Sequence, residues 1–229
     1  MEWFYKILKY KLLSIFSIFF VSVLQAQEYN DLCDSLKQAT EMLSYHPDNI
    51  DLRLKKAAWN VQLEQWQYAK DEYDYVLNLQ PNNVAGLYFR AFVNEKLGRY
   101  NFARFDYENL LREVPRYFAG WLGLALLNEK DNHYTDAMNQ INYLVHCYPD
   151  SAVAYAARAG MEKNRGLYEL ALYDFSEAIQ RDTNNKDYLL NRVEVYIKLG
   201  RKDEAKADLD TLVALGIPRT ALKHWYKCL

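Results

Sequence analysis

Basic and acidic side chains recur at one fixed separation along this chain. Four basic residues are each followed by a carboxylate 16 positions later. The pairs are Lys56 with Glu72, Arg90 with Asp106, Arg158 with Asp174, and Arg192 with Asp208. One further equivalent pair, Leu124 and Gln140, is uncharged at both positions. Because charge is present or absent on both members together, we predict ion pairs between facing helices; unrelated solvated charges are the alternative.

Asparagine forms a second series, with 34 residues from one member to the next, at Asn60, Asn94 and Asn128. This ladder of amides has two interpretations. The side chains hold the backbone of a bound peptide, or they satisfy neighbouring helix ends and one another. We therefore include Asn94 and Asn128 among the candidate partner-binding residues.

Residues with the chemistry of catalysis or metal binding are sparse. The histidines, His46, His133, His146 and His224, form no i, i+4 pair with another ligand that would place two ligands on one helix face. No glycine-rich phosphate loop follows a strand, because the sequence has no strand pattern. We predict that the protein is not an enzyme, and that it has no metal site, no cofactor and no small-molecule substrate.

Composition favours an ordered helical protein. The chain has 229 residues, of which 51% are hydrophobic, with 5 prolines and 8 glycines. Its net charge is −2, and it contains no basic run. We therefore expect no nucleic-acid partner and no electrostatic attachment to anionic lipid.

Residues 1–26 have the pattern of a signal peptide. Three lysines precede an apolar run over residues 12–24, and Ala26 offers a small residue for cleavage. The run is short for a membrane span, which needs about 20 residues. We expect export to the periplasm or secretion, with an uncleaved membrane anchor through residues 12–24 as the alternative. Cleavage would change the net charge to about −4, since it removes three lysines and Glu2.

A period of 34 residues organises the rest of the chain. Alanine recurs at this interval at residues 69, 103, 137, 171 and 205, and proline at residues 47, 81, 115 and 149. A fixed period of this length is typical of a repeat array in which each repeat packs on its neighbours. By register the repeats are residues 50–83, 84–117, 118–151, 152–185 and 186–219, each predicted to form two helices.

These repeats resemble the tetratricopeptide repeat family. The third repeat matches the family pattern at Trp121, Leu124, Ala125, Ala137, Ile141, Leu144 and Pro149. The fourth matches it at Tyr155, Ala159, Gly166, Tyr168, Ala171, Phe175 and Ala178. The first departs from it, because Arg53 takes the aromatic position and Glu64 the position of the turn glycine.

The resemblance implies an all-α fold, a right-handed superhelical solenoid of five helix pairs over residues 50–217. Residues 27–49 are predicted to form an amino-terminal capping helix, and residues 218–229 a closing one. The cysteines Cys33, Cys147 and Cys228 are then separated by several helices, each about 8–10 Å from the next. We expect unpaired thiols that are buried or without a role, although an odd number of cysteines also permits an intermolecular disulfide.

In this family the first helices of successive pairs line a concave side that generally holds the ligand. Carried over to this sequence, that side contains Tyr88, Phe89, Phe92, Leu122, Leu126 and Val153, bordered by Glu95 and Lys96. An apolar groove suits a hydrophobic or amphipathic segment of another protein. We therefore predict an exported protein-binding scaffold; the alternative is a structural or self-associating component of the cell envelope.

Overall fold

The structure is a computed structural model that describes residue 27 and residues 29–229. The predicted signal peptide lies outside these residues. Helix α1 spans residues 29–45. The helices that follow are α2 Ile50–Gln62, α3 Trp66–Leu79, α4 Val84–Lys96, α5 Tyr100–Glu113, α6 Phe118–Lys130, α7 Tyr134–Cys147, α8 Ala152–Asn164, α9 Tyr168–Arg181, α10 Lys186–Lys198, α11 Lys202–Ala214 and α12 Lys223–Lys227. No strand occurs among the described residues, and none of their helices is long and apolar enough to span a bilayer.

The chain divides into two compact units, one that ends at Asn109 and one that begins at Leu110. In the amino-terminal unit α2 packs on α3, and α3 packs on α4. In the carboxy-terminal unit each helix from α6 to α11 packs on the next. Contacts between helices that are consecutive in the chain are typical of a repeat array.

The periodic alanines lie where two helices approach closely. Each of them is 0% exposed: Ala57, Ala91, Ala125 and Ala159 on first helices, and Ala69, Ala103, Ala137, Ala171 and Ala205 on second helices. A large side chain four residues after each second-helix alanine is also buried: Tyr73, Tyr107, Ile141, Phe175 and Leu209. Equivalent positions therefore occupy matching environments, as the period predicts.

Helix ends follow the same register. Asn49, Asn83, Ser151 and Asn185 each cap a first helix by accepting a backbone N–H, as Asn83 does from Gly86 at 2.9 Å. The turn inside each pair contains a residue with positive φ, and at Glu64 this φ is 54°. Among the residues that the structure describes, Glu64 is the one residue with a long side chain in the left-handed region, where Cβ is disfavoured.

Arg53 takes over the contacts that an aromatic residue makes elsewhere. Its Nε donates to the carbonyl of Pro47 at 2.7 Å, and its guanidinium lies 3.4 Å from the centre of the Tyr75 ring. At the equivalent position Trp121 donates to a proline carbonyl at 2.8 Å and packs on a tyrosine ring at 4.7 Å. A planar cation therefore replaces the indole without loss of either contact.

The flanks are shorter than predicted. Helix α1 ends at residue 45, and it buries Ala39 and Leu43. The closing helix covers only Lys223–Lys227 instead of residues 218–229, because residues 218–222 form turns. Leu222 is nonetheless buried, and Trp225 and Tyr226 pack against the last hydrophobic cluster.

Candidate functional site

The predicted ion pairs are present, and in three repeats they are bidentate. The Nε and Nη2 of Arg90 donate to the two carboxylate oxygens of Asp106 at 2.9 and 2.6 Å. Arg158 contacts Asp174 in the same way at 2.5 and 2.8 Å, and Arg192 contacts Asp208 at 2.8 and 2.8 Å. The aspartates are buried. Such a planar fork of two parallel bonds fixes the register of the two helices.

Each arginine also makes a third contact, which the sequence reasoning missed. The Nη1 atoms of Arg90, Arg158 and Arg192 donate to Asp74, Asn142 and Ser176 at 2.9, 3.1 and 3.1 Å. These acceptors stand 16 residues before the arginine, on the second helix of the preceding repeat. The sequence contains a pattern that predicts this contact, because the residue at this position of the repeat is polar in each case. One guanidinium therefore joins three helices.

The first repeat builds its pair differently. Lys56 contacts Glu72 at 2.7 Å, as predicted, and Arg53 contacts the other oxygen of the same carboxylate at 2.6 Å. Two monodentate cations replace one bidentate guanidinium here.

The asparagine series lies in the interior, and its assignment to the predicted groove is wrong. Asn94 is 1% exposed and Asn128 is 2% exposed. The Nδ2 of Asn94 donates to Asp106 at 3.2 Å, and that of Asn128 donates to Gln140 at 2.9 Å. Asn94 therefore supplies a donor to the buried carboxylate that Arg90 holds, and Asn128 bonds to the uncharged Gln140 of the third repeat. Neither amide is exposed in the predicted groove.

Glu162 stands where the next member of this series would fall, and the sequence reasoning overlooked it. It is 5% exposed, and its Oε2 has no hydrogen-bond partner. Burial raises the pKa of Glu162 to about 7, with further contributions from the charge of Asp174 and a hydrogen bond with it, while Arg158 opposes the shift. A carboxyl group that titrates near neutrality is therefore buried beside the ion pair of the fourth repeat.

The predicted groove residues of the amino-terminal unit form a partly covered aromatic patch. Phe89 is 41% exposed and stacks on Tyr73, with ring centres 6.0 Å apart. Tyr88 and Phe92 are half-buried, against Tyr107 and Trp66 respectively. At the border, Glu95 is half-buried, and the exposed Lys96 has its ammonium 5.2 Å from the centre of the Phe92 ring. Of the aromatic side chains in this patch, Phe89 is therefore the most accessible to a partner.

The groove residues of the carboxy-terminal unit are aliphatic. Leu126 is 46% exposed although its neighbours Ala125 and Leu127 are fully buried, and Val153 is 45% exposed. Leu122 is half-buried against the cluster around Ile141. Helix α6 is thus apolar on its exposed side as well as on its buried side.

Second helices carry large exposed apolar side chains that were not predicted. They include Tyr68, Phe102 and Phe105 in the amino-terminal unit, and Leu170 and Tyr173 in the carboxy-terminal unit. Tyr68, Phe102 and Leu170 occupy the same register position. These exposed side chains could have been recognised in the sequence as apolar residues that recur at a position outside the core pattern.

Groups suited to metal or redox chemistry are limited in the part of the chain that the structure describes. No cluster of three or more histidine, cysteine, aspartate or glutamate side chains there could hold a metal ion. The three cysteines are free, with Cys33 and Cys147 half-buried and Cys228 exposed.

Comparison with solved structures identifies the fold. A tetratricopeptide repeat protein from Parabacteroides merdae superposes with a TM-score of 0.69 at 22% identity, over 88% of this chain and 79% of its own. PilW, a widely conserved type IV pilus biogenesis factor, gives 0.70 at 19% identity, over 83% and 87%. YrrB, a tetratricopeptide repeat protein with an unusual peptide-binding site, gives 0.58 at 17% identity, over 82% and 97%.

No protein-family model matches the chain, and no curated protein matches its sequence. The structural likeness nevertheless confirms the fold expected from the repeats: the chain has the all-α architecture of tetratricopeptide repeat proteins, built from helix pairs.

Proposed function

We propose that the protein is a protein-binding scaffold whose first helices contact an apolar or amphipathic segment of a partner. The observation that carries this proposal is the exposure of Leu126 between two fully buried neighbours. A leucine at that place contributes little to the core, whereas an exposed apolar side chain on a regular helix surface suits contact with another protein.

Two further observations support the proposal. Phe89, on a first helix of the amino-terminal unit, is 41% exposed, and Val153, on a first helix of the carboxy-terminal unit, is 45% exposed. The fold is also that of YrrB, which has a peptide-binding site. We infer a binding role without catalysis, in which side chains recognise a partner through burial of apolar area.

The test is affinity capture with two matched variants. Leu126→Asp and Leu170→Asp each place a carboxylate at a similarly exposed leucine, the first on α6 and the second on α9. We expect Leu126→Asp to lose a partner that the wild type and Leu170→Asp both recover. Equal recovery by all three proteins would refute the groove. Recovery of the chain itself as the only partner would favour the self-associating alternative.

We also propose that the protein is exported and that residues 1–26 are removed. The support is the lysine-rich start, the apolar run and Ala26. We expect amino-terminal sequencing of the protein from its native cells to begin at residue 27. An intact amino terminus in the membrane fraction would indicate an anchor, and an intact chain in the cytoplasm would refute export.

A further inference from the structure

The amino-terminal unit has a concave surface formed by residues other than those of the predicted groove. A cleft of about 720 Å³ lies between α3 and α5, and side chains of α4 complete its lining. Phe102 and Phe105, one turn apart on α5, line this cleft although they are 65% and 56% exposed. Two large exposed rings at a concave site are typical of contact with another molecule.

The cleft is lined by three cationic side chains but only two carboxylates. Asp106 is held by Arg90, and Asp74 accepts from both Arg90 and Lys70. Arg99 also lines the cleft, but its guanidinium donates to the amide oxygen of Gln67 at 3.3 Å. Arg99 is exposed and, among the described residues, pairs with no carboxylate. A carboxylate that approached the cleft would therefore meet an available bidentate donor.

Asn94 adds an unused acceptor to the same lining. Its Nδ2 donates to Asp106, but its Oδ1 is buried and accepts no hydrogen bond. A buried polar atom without a partner has a cost of about 1–3 kcal/mol, which a donor supplied by a ligand would remove. A peptide has such donors in its backbone N–H groups.

The repeat two places later lacks the two unshared cations of this cleft. At the equivalent positions, 68 residues on, Lys70 is replaced by Met138 and Arg99 by Leu167. The apolar pair persists there as Leu170 and Tyr173, both exposed. The fold alone therefore does not require cations at these positions.

We propose that the cleft between α3 and α5 binds a partner segment of stated chemistry: an acidic peptide that carries an aromatic side chain. The aromatic ring packs on Phe102 and Phe105, a carboxylate pairs with Arg99, and a peptide N–H donates to Asn94.

This site is separate from the groove of the proposed function. On α4, Arg90 and Asn94 each stand two residues from Phe92, which places them about 160° away around the helix axis. The cleft and the groove residues therefore use opposite sides of α4. A change in the groove would leave the cleft intact, so the two proposals can fail independently.

The experiment measures fluorescence anisotropy of three labelled peptides with the full chain. The first peptide alternates aspartate with phenylalanine, the second replaces the phenylalanines by serine, and the third replaces the aspartates by lysine. We expect the first peptide to bind about tenfold more tightly than either of the others, as the loss of one charge-assisted hydrogen bond or one buried ring implies. Absence of binding, or equal binding of all three, would overturn the proposal.

Variants locate the binding. Arg99→Leu introduces the residue found at the equivalent position two repeats later, Leu167. This variant should bind the first peptide about tenfold more weakly. The double variant Phe102→Ser/Phe105→Ser should weaken it similarly, whereas Phe89→Ser, in the groove patch, should not. Unchanged affinity in Arg99→Leu, or equal loss in Phe89→Ser, would contradict the site. A dimer in sedimentation that Arg99→Leu abolishes would make the occupant a second copy of the chain and would also overturn the assignment.

Discussion

The second and fourth repeats contain the same arginine–aspartate pair, but the residue beside the aspartate differs. In the second repeat Asp106 accepts from Arg90 and from the amide of Asn94. In the fourth repeat the position of the asparagine is occupied by Glu162, which is buried beside Asp174. The amide supplies a donor at every pH, whereas the carboxyl group supplies one only while it is protonated.

From this difference we predict that the pair of the fourth repeat depends more strongly on pH near neutrality than the pair of the second repeat does. The pKa of Glu162 is raised to about 7, chiefly by burial. Above that pH two carboxylates share the interior with Arg158, and their mutual repulsion lowers stability. The fourth repeat is thus the one whose packing should respond to pH near neutrality.

The largest effect should come from removal of the shared cation. Arg158→Ala leaves Asp174 buried without its partner, which should destabilise the protein by about 3–5 kcal/mol. Removal of Asp174 as well, in Arg158→Ala/Asp174→Ala, should restore part of this loss. Urea denaturation of the two single variants and the double variant measures the coupling. If the stability losses of the two single variants simply added up in the double variant, Arg158 and Asp174 would not be energetically coupled.

The comparison also predicts how Arg90→Ala should differ from Arg158→Ala. At pH 8, Arg158→Ala would leave two unpaired carboxylates, Glu162 and Asp174, in the fourth repeat. Arg158→Ala should therefore lower the free energy of unfolding more than Arg90→Ala does. At pH 5 Glu162 is protonated, and the difference in unfolding free energy between the two variants should become smaller. A gap that stays constant from pH 5 to pH 8 would contradict the role given to Glu162.

Replacement of the titrating group should have the next largest effect. Because the folded protein holds the Glu162 proton more tightly than the unfolded chain, folding takes up a proton between the ordinary pKa of 4.5 and about 7. The stability from this group is fully present below the lower value and is lost as the pH rises through the higher one. Glu162→Gln should therefore be more stable than the wild type by about 3 kcal/mol at pH 8.

The measurement for Glu162→Gln is the free energy of unfolding at pH 5 and pH 8, in urea, for both proteins. The difference between them isolates Glu162 from every other group that titrates in this range. Parallel pH profiles would disprove the assignment.

The reciprocal change should transfer the pH dependence to the second repeat. Asn94→Glu places a carboxyl group beside Asp106, whose own pKa burial already raises. At pH 8 this variant should be about 2 kcal/mol less stable than Asn94→Gln, which has the same length without the charge. At pH 5 the two should agree closely. Equal stability at both pH values would show that the second repeat tolerates a second buried carboxylate.

Much of this architecture could be predicted from the sequence because the period aligns equivalent positions. The alanine series marks close helix contacts, and the joint presence or absence of charge marks pairs such as Arg192 with Asp208. These signals work because close packing and ion pairing each constrain residue type at a fixed register.

The orientation of the asparagines could not be predicted in the same way. Asn94 and Asn128 are polar residues in a helix, and their sequence positions are compatible with either a ligand surface or an internal acceptor. Burial decides between these, and it depends on which side of α4 and α6 meets the second helix. The exposed rings of Phe102 and Phe105 escaped prediction for a related reason, since the core pattern of α5 already contained enough apolar residues.

The smallest effect should come from the third contact of the guanidinium, where the two repeats also differ. Arg90 donates to the carboxylate of Asp74, whereas Arg158 donates to the amide of Asn142 at the equivalent place. Asp74→Asn gives the second repeat the acceptor of the fourth. Because Asp74 is partly exposed to solvent, the loss should be only about 0.5–1 kcal/mol.

Salt should distinguish this contact from the buried pair. An exposed carboxylate is screened, so the difference between the wild type and Asp74→Asn should shrink when urea denaturation is repeated at about 1 M sodium chloride. The loss in Arg158→Ala, measured in parallel, should persist, because Asp174 is buried away from ions. If both losses shrank equally, the bidentate pair would be as accessible to solvent as the third contact, and the contrast between the two repeats would then rest on Glu162 alone.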